Sequence, residues 1–240
     1  EAGMRIVGPN CLGYFNPKNN IYATFSTSFT HGMPKIGNVG MVSQSGAFGS
    51  HCFVLGREKG IGFSYWVTTG NEVDVDVAEC IAFMSQDPGT DVICAYIEGC
   101  KDGARLEEAL RLAYEARKPV LIQKVGRSDV GTAAAASHTA SLTGADQVYD
   151  AVFERYNAYR CLTVDELIDI THAASNGVLP QGRNVAVGSI SGGAAVMMAD
   201  AASDAGLEME PLPDASQAKL KELIPFAGTR NPVDFTAMVY

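Results

Sequence analysis

The stretch NVGMVSQSGAFG, residues 38–49, joins a short apolar run to the sequence Ser-Gln-Ser-Gly and then to small residues. The apolar run predicts a buried β-strand, and a serine before a glycine and an alanine predicts a capped helix start. The same order returns in NVAVGSISGGAA, residues 184–195, and Gly60 behind the first helix matches Gly206 behind the second. We interpret the two stretches as an internal duplication of one strand-turn-helix unit.

Around the first copy, short runs rich in Val and Ile alternate with longer amphipathic segments. The short runs predict strands at residues 39–42, 62–67, 92–97, 120–125 and 159–162. The segments between them predict helices at residues 47–59, 75–85, 103–117, 144–157 and 164–175. This alternation is typical of an α/β domain with a mostly parallel sheet. Turn-forming residues at 176–182 predict a linker, after which the pattern restarts with the second copy.

The composition is that of a soluble globular protein. Hydrophobic residues make up 47% of the 240 residues, charged residues make up 19%, and the formal net charge is -9. The acidic balance and the lack of a Lys/Arg cluster in the sequence argue against a nucleic-acid surface. No apolar run reaches about 18 residues, so we expect no membrane span. The six cysteines form no CxxC pair, which indicates reduced thiols and a cytoplasmic location.

Both copies of the duplicated unit are candidate anion sites. A serine cap and small residues leave backbone N–H groups exposed at the positive end of a helix dipole, where phosphate binds readily. An ordinary capped helix without a ligand is the alternative for either copy alone, and the matching second copy favours phosphate binding. Neither copy contains a GxGxxG or GxxxxGK[ST] nucleotide motif. The candidate phosphate-binding residues are Ser43, Ser45, Gly46 and Ala47 in the first copy and Ser191, Gly192 and Gly193 in the second.

A histidine stands among small hydroxyl residues in ASHTASLTG, residues 136–144. Gly126, Gly131 and Gly144 punctuate this region, and its Ser and Thr side chains compete with helix hydrogen bonds, so we predict a loop. His138 is the candidate nucleophile, because a neutral imidazole reacts near neutral pH when an acceptor holds its other ring nitrogen. A solvated surface residue on a helix is the alternative.

Two polar residues that follow predicted strands are candidate partners of this histidine. Glu98 follows residues 92–97 and is expected at the carboxyl edge of the sheet, where open α/β folds place their sites. Asn71 leaves another strand at the same edge, as a further candidate for phosphate binding. A turn or capping role is the alternative for both. We interpret the remaining histidines, His31, His51 and His172, as packed or solvated. We interpret the acidic group Asp74, Asp76 and Glu79 as the start of a helix rather than a metal site.

Six stretches of the sequence carry a resemblance to a known family: RIVGPNCLGYFNP (5–17), GNVGMVSQSGAFG (37–49), YIEG (96–99), SHTASLTG (137–144), VAVGSISGG (185–193) and NPVDFT (231–236). Together they resemble the NDP-forming acyl-CoA synthetases, the ADP-forming acetyl-CoA synthetase type of the succinyl-CoA synthetase superfamily. The resemblance covers essentially the whole chain. It implies two flavodoxin-like, open parallel-sheet domains of three layers, the second of them incomplete.

The resemblance also implies an activity. Members of the family convert a carboxylic acid, CoA and ATP to acyl-CoA, ADP and phosphate through an acyl phosphate, and a histidine carries the phosphoryl group to a distant nucleotide site. That histidine matches His138, and its supporting glutamate matches Glu98. The two duplicated helix starts match the phosphate-gripping helices. The family motif SHTG reads SHTA at residues 137–140, so alanine replaces the glycine. The acyl pocket is expected to draw on Asn10 and Cys11.

The resemblance further divides the chain. Residues 1–36 are expected to form the tail of a CoA-binding domain and its connection, 37–176 the domain with the phosphohistidine loop, and 177–240 a truncated second domain. We therefore interpret the chain as a fragment that is inactive alone. CoA, and ATP/ADP with Mg²⁺, are implied for the full-length enzyme, the nucleotide being held by an ATP-grasp domain or subunit outside this chain. We expect this chain to bind no cofactor tightly, no metal, no nucleic acid and no membrane. The identity of the acid substrate, the choice between ATP and GTP, and the formation of a homo-oligomer stay open.

Two other functions are open at this stage. One is the regulatory, synthetase-like portion of a protein lysine acetyltransferase, and the other is a flavodoxin-like binding module without chemistry. The presence of both His138 and Glu98 favours the ligase over the first. The duplication, with a histidine between its two copies, favours the ligase over the second.

Overall fold

The computed structural model describes residues 3–128, 130–131, 146–178 and 180–238 of the chain. His138 and the loop predicted around it therefore lie outside the described residues. The chain divides into two compact units, Glu1–Val178 and Leu179–Tyr240.

The described part of the first unit is built on a seven-stranded sheet with the order β2-β1-β4-β3-β5-β6-β7. Five neighbouring strands, from β4 across to β7, run parallel, and β1 pairs antiparallel with both of its neighbours. The strands are β1 (Gly13–Asn16), β2 (Ile21–Thr24), β3 (Lys35–Ser43), β4 (Gly62–Thr68), β5 (Val92–Ile97), β6 (Val120–Lys124) and β7 (Tyr159–Arg160). The predicted α/β class with a mostly parallel sheet is confirmed.

Helices cover both faces of this sheet and complete the three layers. One face packs against α1 (Gly46–Glu58) and the helix Val164–Ser175, and the other against α2 (Val77–Gln86), α3 (Gly103–Glu115) and the helix Asp146–Arg155. The side chains of β5 show the alternation: Ile93 and Ala95 belong to one core cluster and Cys94 to the other. Because both faces are buried, the central strand β5 (VICAYI) is apolar along its whole length, which is the pattern that predicts it.

The amino-terminal residues differ from the expected division of the chain. Residues 1–36 were assigned by resemblance to the tail of a preceding domain, whereas β1 and β2 extend the sheet of the first unit. Phe15 of β1 is fully buried, stacking on Trp66 at 5.2 Å between ring centroids. The two strands are only four residues long, and Gly and Asn stand at the ends of β1, so the sequence on its own carries only a short strand signal.

The second unit repeats the local structure of the first helix. Ser45 caps α1 by accepting from the N–H of Phe48, and Ser191 caps the helix Gly192–Asp204 by accepting from the N–H of Ala194. At the other end, Gly60 and Gly206 both have positive φ, 86° and 66°, and end their helices in the same way. The duplicated strand-turn-helix unit predicted from the sequence is therefore present in the structure. The rest of the unit as described contains the helix Asp214–Leu223 and the short parallel strands β8 (Gly188–Ser189) and β9 (Val233–Asp234).

The sequence raised two further points, membrane-spanning helices and the state of the cysteines. Among the described residues, no helix combines the length and the apolar character needed to cross a bilayer. All six cysteines are free thiols, and Cys52, Cys80, Cys94 and Cys161 are buried.

Candidate active site

A cavity of about 390 Å³ opens at the carboxyl edge of the sheet in the first unit. Its walls come from the segments that follow β3, β4 and β5, which are neighbours in the sheet, and from the segment before β1. Open α/β folds bind their ligands at this edge. Seven residues predicted from the sequence line it together, namely Asn10, Cys11, Ser45, Gly46, Ala47, Asn71 and Glu98, with Leu12, Phe25, Gln44 and Gly70 beside them.

The start of α1 contributes backbone donors to the cavity. The Ser45 hydroxyl accepts from the N–H of Phe48 at 3.3 Å, and the Ser45 carbonyl accepts from the N–H of Gly49 at 2.9 Å. The N–H groups of Gly46 and Ala47 have no hydrogen-bond partner among the described residues, and both residues line the cavity. Two donors at the positive end of a helix suit a phosphate oxygen.

Ser43 occupies a different position from the other predicted phosphate ligands. It is 0% exposed and does not line the cavity. Its hydroxyl donates to the carbonyl of Ser45 at 2.6 Å. The side chain of Ser43 therefore stabilises the turn from β3 into α1, in which the capping residue Ser45 lies.

Glu98 is 6% exposed and is fixed through its main chain. Gln44 Oε1 accepts from the N–H of Glu98 at 2.6 Å and from the N–H of Gly99 at 3.1 Å. Gln44 Nε2 donates back to the carbonyl of Gly99 at 2.8 Å. The side-chain amide of Gln44 thus binds the turn that follows β5 and fixes the backbone position from which the Glu98 side chain extends. Burial, and secondarily the adjacent Glu98 carboxylate, raise the pKa of Tyr96 on the same strand.

A second buried carboxylate, Glu72, lies behind Gln44. Its Oε2 accepts from Gln44 Nε2 at 2.8 Å, and its Oε1 accepts from the hydroxyl of Thr69 and the N–H of Val77, both at 2.9 Å. Burial raises the pKa of Glu72 above its ordinary value, although these three hydrogen bonds oppose the shift. Glu72 orients the amide of Gln44, because a carboxylate can only accept and so fixes Nε2 on its own side.

The Asn71 turn is held by close backbone contacts. Asn10 Nδ2 donates to Asn71 Oδ1 at 3.2 Å, and the Asn71 N–H donates to the carbonyl of Pro9 at 2.8 Å. Lys101 Nζ donates to the carbonyl of Asn71 at 2.6 Å. At Gly70, with φ of 59°, a Cβ would lie 2.3 Å from the Pro9 carbonyl oxygen, so a side chain does not fit there.

The second helix start, in the other unit, has the same free donors and an additional acid. The N–H of Ala194 donates to the hydroxyl of Ser191, and the N–H of Ala195 donates to the carbonyl of Ser191. The N–H groups of Gly192 and Gly193 have no partner among the described residues. A Cβ on Gly192 would lie 2.7 Å from Asp234 Oδ2, so a carboxylate stands beside this helix start. Phosphate binding here has to compete with that negative charge.

The acidic residues beside α2 are bound to arginines. Arg5 pairs with Asp74 at 2.9 Å, and Arg105 pairs with Asp76 at 3.0 Å and with Glu79 at 3.0 Å. Asp76 also caps α2 by accepting from the N–H of Glu79 at 2.8 Å. These contacts agree with the predicted helix start. In the parts of the chain that the structure describes, no three His, Cys, Asp or Glu side chains converge as a metal site would require.

Three residues that shape the site were not predicted from the sequence: Gln44, Glu72 and Lys101. Gln44 stands between the two serines of SQSG and Glu72 directly follows Asn71, so both lie next to predicted residues. Their role depends on contacts between segments that are at least 28 residues apart in the sequence, and a local sequence pattern cannot reveal such contacts. The cavity offers backbone donors, three side-chain amides and one buried carboxylate, a set that can hold a phosphate group beside a protonated nitrogen.

Comparison with known proteins places the chain in a family. Residues 36–174 match the model described as succinyl-CoA ligase like flavodoxin domain. The chain is 37% identical over 238 residues to the alpha subunit of the ADP-forming acetate-CoA ligase II of Pyrococcus furiosus, covering 99% of this chain and 50% of that one. It is 36% identical over 236 residues to the ADP-forming 4-hydroxybutyrate-CoA ligase of Nitrosopumilus maritimus, covering 98% of this chain and 33% of that one.

A solved structure of an acetyl-coenzyme A synthetase also matches the chain. The dinucleotide forming acetyl-coenzyme A synthetase 1 of Ca. Korarchaeum cryptofilum, in complex with phosphate and ADP, matches with a TM-score of 0.89 and 34% identity over 99% of this chain. The match covers 51% of that structure, so the chain spans about half the length, or less, of the relatives it matches. The chain belongs to the family of succinyl-CoA ligase like flavodoxin domains.

Proposed function

We propose that the protein containing this chain is an NDP-forming acid-CoA ligase and that the chain is its phosphotransfer portion. The whole enzyme converts a carboxylic acid, CoA and ATP to acyl-CoA, ADP and phosphate. Family membership supports this class of reaction, as do the relatives whose activities join acetate or 4-hydroxybutyrate to CoA.

The observation that carries the proposal is the meeting of Glu98 with the start of α1 in one cavity. The reaction needs a site that stabilises a phosphate group and orients a nucleophilic nitrogen. Free N–H groups of Gly46 and Ala47 supply the first, and the fixed carboxylate of Glu98 supplies the second. Asn10 and Asn71 add amide groups at the mouth of the same cavity.

His138 is the nucleophile in this proposal. In the direction of acyl-CoA synthesis, an imidazole nitrogen of His138 takes the γ-phosphoryl group of ATP and ADP leaves. A carboxylate oxygen of the acid then attacks the phosphorus, the N–P bond breaks, and an acyl phosphate forms. The CoA thiolate attacks the acyl carbon, which gives the thioester and releases phosphate. Glu98 accepts a hydrogen bond from the ring nitrogen that carries no phosphoryl group, and this favours the reactive tautomer.

The remaining parts of the reaction are assigned to the rest of the protein. ATP with Mg²⁺ is bound by an ATP-grasp domain or subunit and CoA by a preceding domain. The second helix start, at Ser191, Gly192 and Gly193, is the candidate phosphate-binding segment of the second unit in this proposal. Six free cysteines support a reducing, cytoplasmic compartment.

The test uses the full-length protein and ATP labelled on the γ-phosphate. We expect an acid-labile, base-stable protein label that is lost in His138→Ala and falls sharply in Glu98→Gln. His172→Ala is the matched control, because His172 lies on the helix Val164–Ser175 and lines none of the cavities described here. Full synthetase activity in His138→Ala would refute the assignment. A full-length protein that incorporates no label and makes no acyl-CoA would favour the regulatory alternative.

A further inference from the structure

A second cavity, of about 460 Å³, lies beside the first. Leu12, Phe25 and Ala47 line both cavities, so the two cavities adjoin each other. Each volume lies within the range of small-molecule sites, about 300–1,000 Å³. Ala47 belongs to the start of α1, so the second cavity begins where the proposed phosphate site ends.

One face of α1 forms the wall of the second cavity. Ala47, Ser50, His51 and Val54 all line it, and their spacing of three, four and seven residues puts them on one helix face. His31, from the segment before β3, also lines this cavity. The groove therefore runs along the helix axis, away from the free N–H groups of Gly46 and Ala47.

The groove has a polar patch part of the way along. The Ser50 hydroxyl hydrogen-bonds the hydroxyl of Ser26 at 2.9 Å, and Ser26 hydrogen-bonds the hydroxyl of Ser28 at 2.7 Å. All three serines line the cavity. A hydroxyl group can donate one hydrogen bond and accept two, so this patch has capacity left for a ligand hydroxyl.

We propose that this groove holds the body of the acid substrate and selects carboxylic acids longer than acetate that carry a hydroxyl group remote from the carboxylate. The inference rests on the proposed function, which puts the phosphoryl group at the start of α1 and therefore puts the carboxylate that attacks its phosphorus beside it. Ser50 follows Ala47 by three residues, about 4.5 Å along the helix. At about 1.5 Å per bond, a chain of roughly three to four carbons covers that distance.

A third cavity, of about 630 Å³, is a poorer candidate for the acid. It adjoins the first cavity through Cys11, and its walls are mainly apolar side chains such as Val67, Val75 and Phe83. Its charged residues, Arg5 and Glu79, form an ion pair with each other at 2.7 Å. Its hydroxyl groups belong to Tyr14 and Tyr65, and its described lining contains no cluster of serines like that of the second cavity.

The test measures kcat and KM of the full-length protein with acetate, butyrate and 4-hydroxybutyrate. We expect the wild-type protein to prefer 4-hydroxybutyrate. Ser50→Leu fills the groove and should raise the KM for 4-hydroxybutyrate about tenfold, the effect of a misfitted group of this size, with unchanged values for acetate and CoA. Ser50→Ala keeps the space and should remove the preference for 4-hydroxybutyrate over butyrate. Ser203→Leu, at an exposed position of the helix Gly192–Asp204, is the control for the added bulk.

The outcomes separate this inference from the proposed function. If the protein joins an acid to CoA but prefers acetate, or if Ser50→Leu leaves its acid profile unchanged, the groove is not the acyl site and the proposed function stands. If Ser50→Leu raises the KM for CoA instead, the groove holds the thiol arm of CoA and the inference is overturned. If no acid yields a thioester, the proposed function itself fails.

Discussion

The side-chain amide of Gln44, at the end of β3, binds the main chain of Glu98, at the end of the neighbouring strand β5. Gln44 Oε1 accepts from the N–H of Glu98 at 2.6 Å, and Gln44 Nε2 is oriented by Glu72 at 2.8 Å. Because these groups are buried, each hydrogen bond replaces contact with water that the fold has removed. The position of the Glu98 carboxylate in the cavity therefore depends on two residues that do not themselves have to touch a substrate.

The first prediction concerns Gln44→Met. The change leaves the N–H groups of Glu98 and Gly99 without their acceptor, which costs about 1–3 kcal/mol in the free energy of unfolding. The fluorescence of Trp66, the single tryptophan of the sequence and 1% exposed, reports urea unfolding of the first unit. We also expect phosphoryl labelling of the full-length protein to slow.

Gln123→Met is the matched control for Gln44→Met. Gln123 on β6 is 9% exposed, and its Oε1 has no hydrogen-bond partner among the described residues. Replacing it removes a buried polar group without breaking a bond, so unfolding free energy should change little. Equal losses in the two variants would show that the hydrogen bonds of Gln44 make no specific contribution to stability.

The second prediction is a pH dependence at Glu72. Burial raises the pKa of Glu72 in the folded protein, so the folded state binds its proton more tightly than the unfolded state. Stability from this group is present below the unfolded pKa, about 4.3, and falls as pH rises through the folded pKa. The unfolding free energy of the wild type should therefore decrease with rising pH relative to that of Glu72→Gln, by at most about 1.4 kcal/mol per pH unit.

Glu108→Gln provides a control of opposite sign. A hydrogen bond from Arg111 lowers the pKa of Glu108, which is exposed on α3, so its small contribution is lost as pH falls. Urea titrations from about pH 4 to about pH 7 compare each variant with the wild type. A wild-type advantage over Glu72→Gln that grows with pH would contradict the raised pKa.

The sequence predicted the edge of the sheet at which the first cavity opens and most residues that line this cavity. Glu98 and Ser45 directly follow apolar strands, and the order of the parallel strands brings strand ends together. The residues that fix them could not be predicted in this way. Gln44 and Glu72 act through hydrogen bonds between segments far apart in the chain, and their neighbours in sequence give no periodic signal. The strands β1 and β2 were missed for a related reason, since each has only four residues and is defined by its pairing with strands elsewhere in the sheet.

The third prediction tests the close approach of two loops. Gly70→Ala should destabilise the first unit more than Gly60→Ala. Both glycines have positive φ, which costs an alanine about 1–2 kcal/mol. At Gly60 a Cβ meets nothing within 4 Å, whereas at Gly70 it would lie 2.3 Å and 2.4 Å from the carbonyl oxygens of Pro9 and Asn10. Trp66 fluorescence in urea measures the difference, and equal costs would mean that the loops do not meet at Gly70.

The last prediction concerns phosphate binding at the two helix starts. Titrating inorganic phosphate into the chain should shift the amide NMR signals of Gly46 and Ala47, whose N–H groups have no partner among the described residues. Helix-end charge effects are worth about 0.3 to 1 kcal/mol when exposed, so binding should be weak and should fall with added salt. Gly192 should respond less than Gly46, because the Asp234 carboxylate already stands beside its helix start. Asp234→Asn removes that charge and should raise the Gly192 response while leaving the response of Gly46 unchanged. Chloride at equal ionic strength is the control, and a Gly46 signal that moves as much with chloride as with phosphate would argue against a phosphate site on α1.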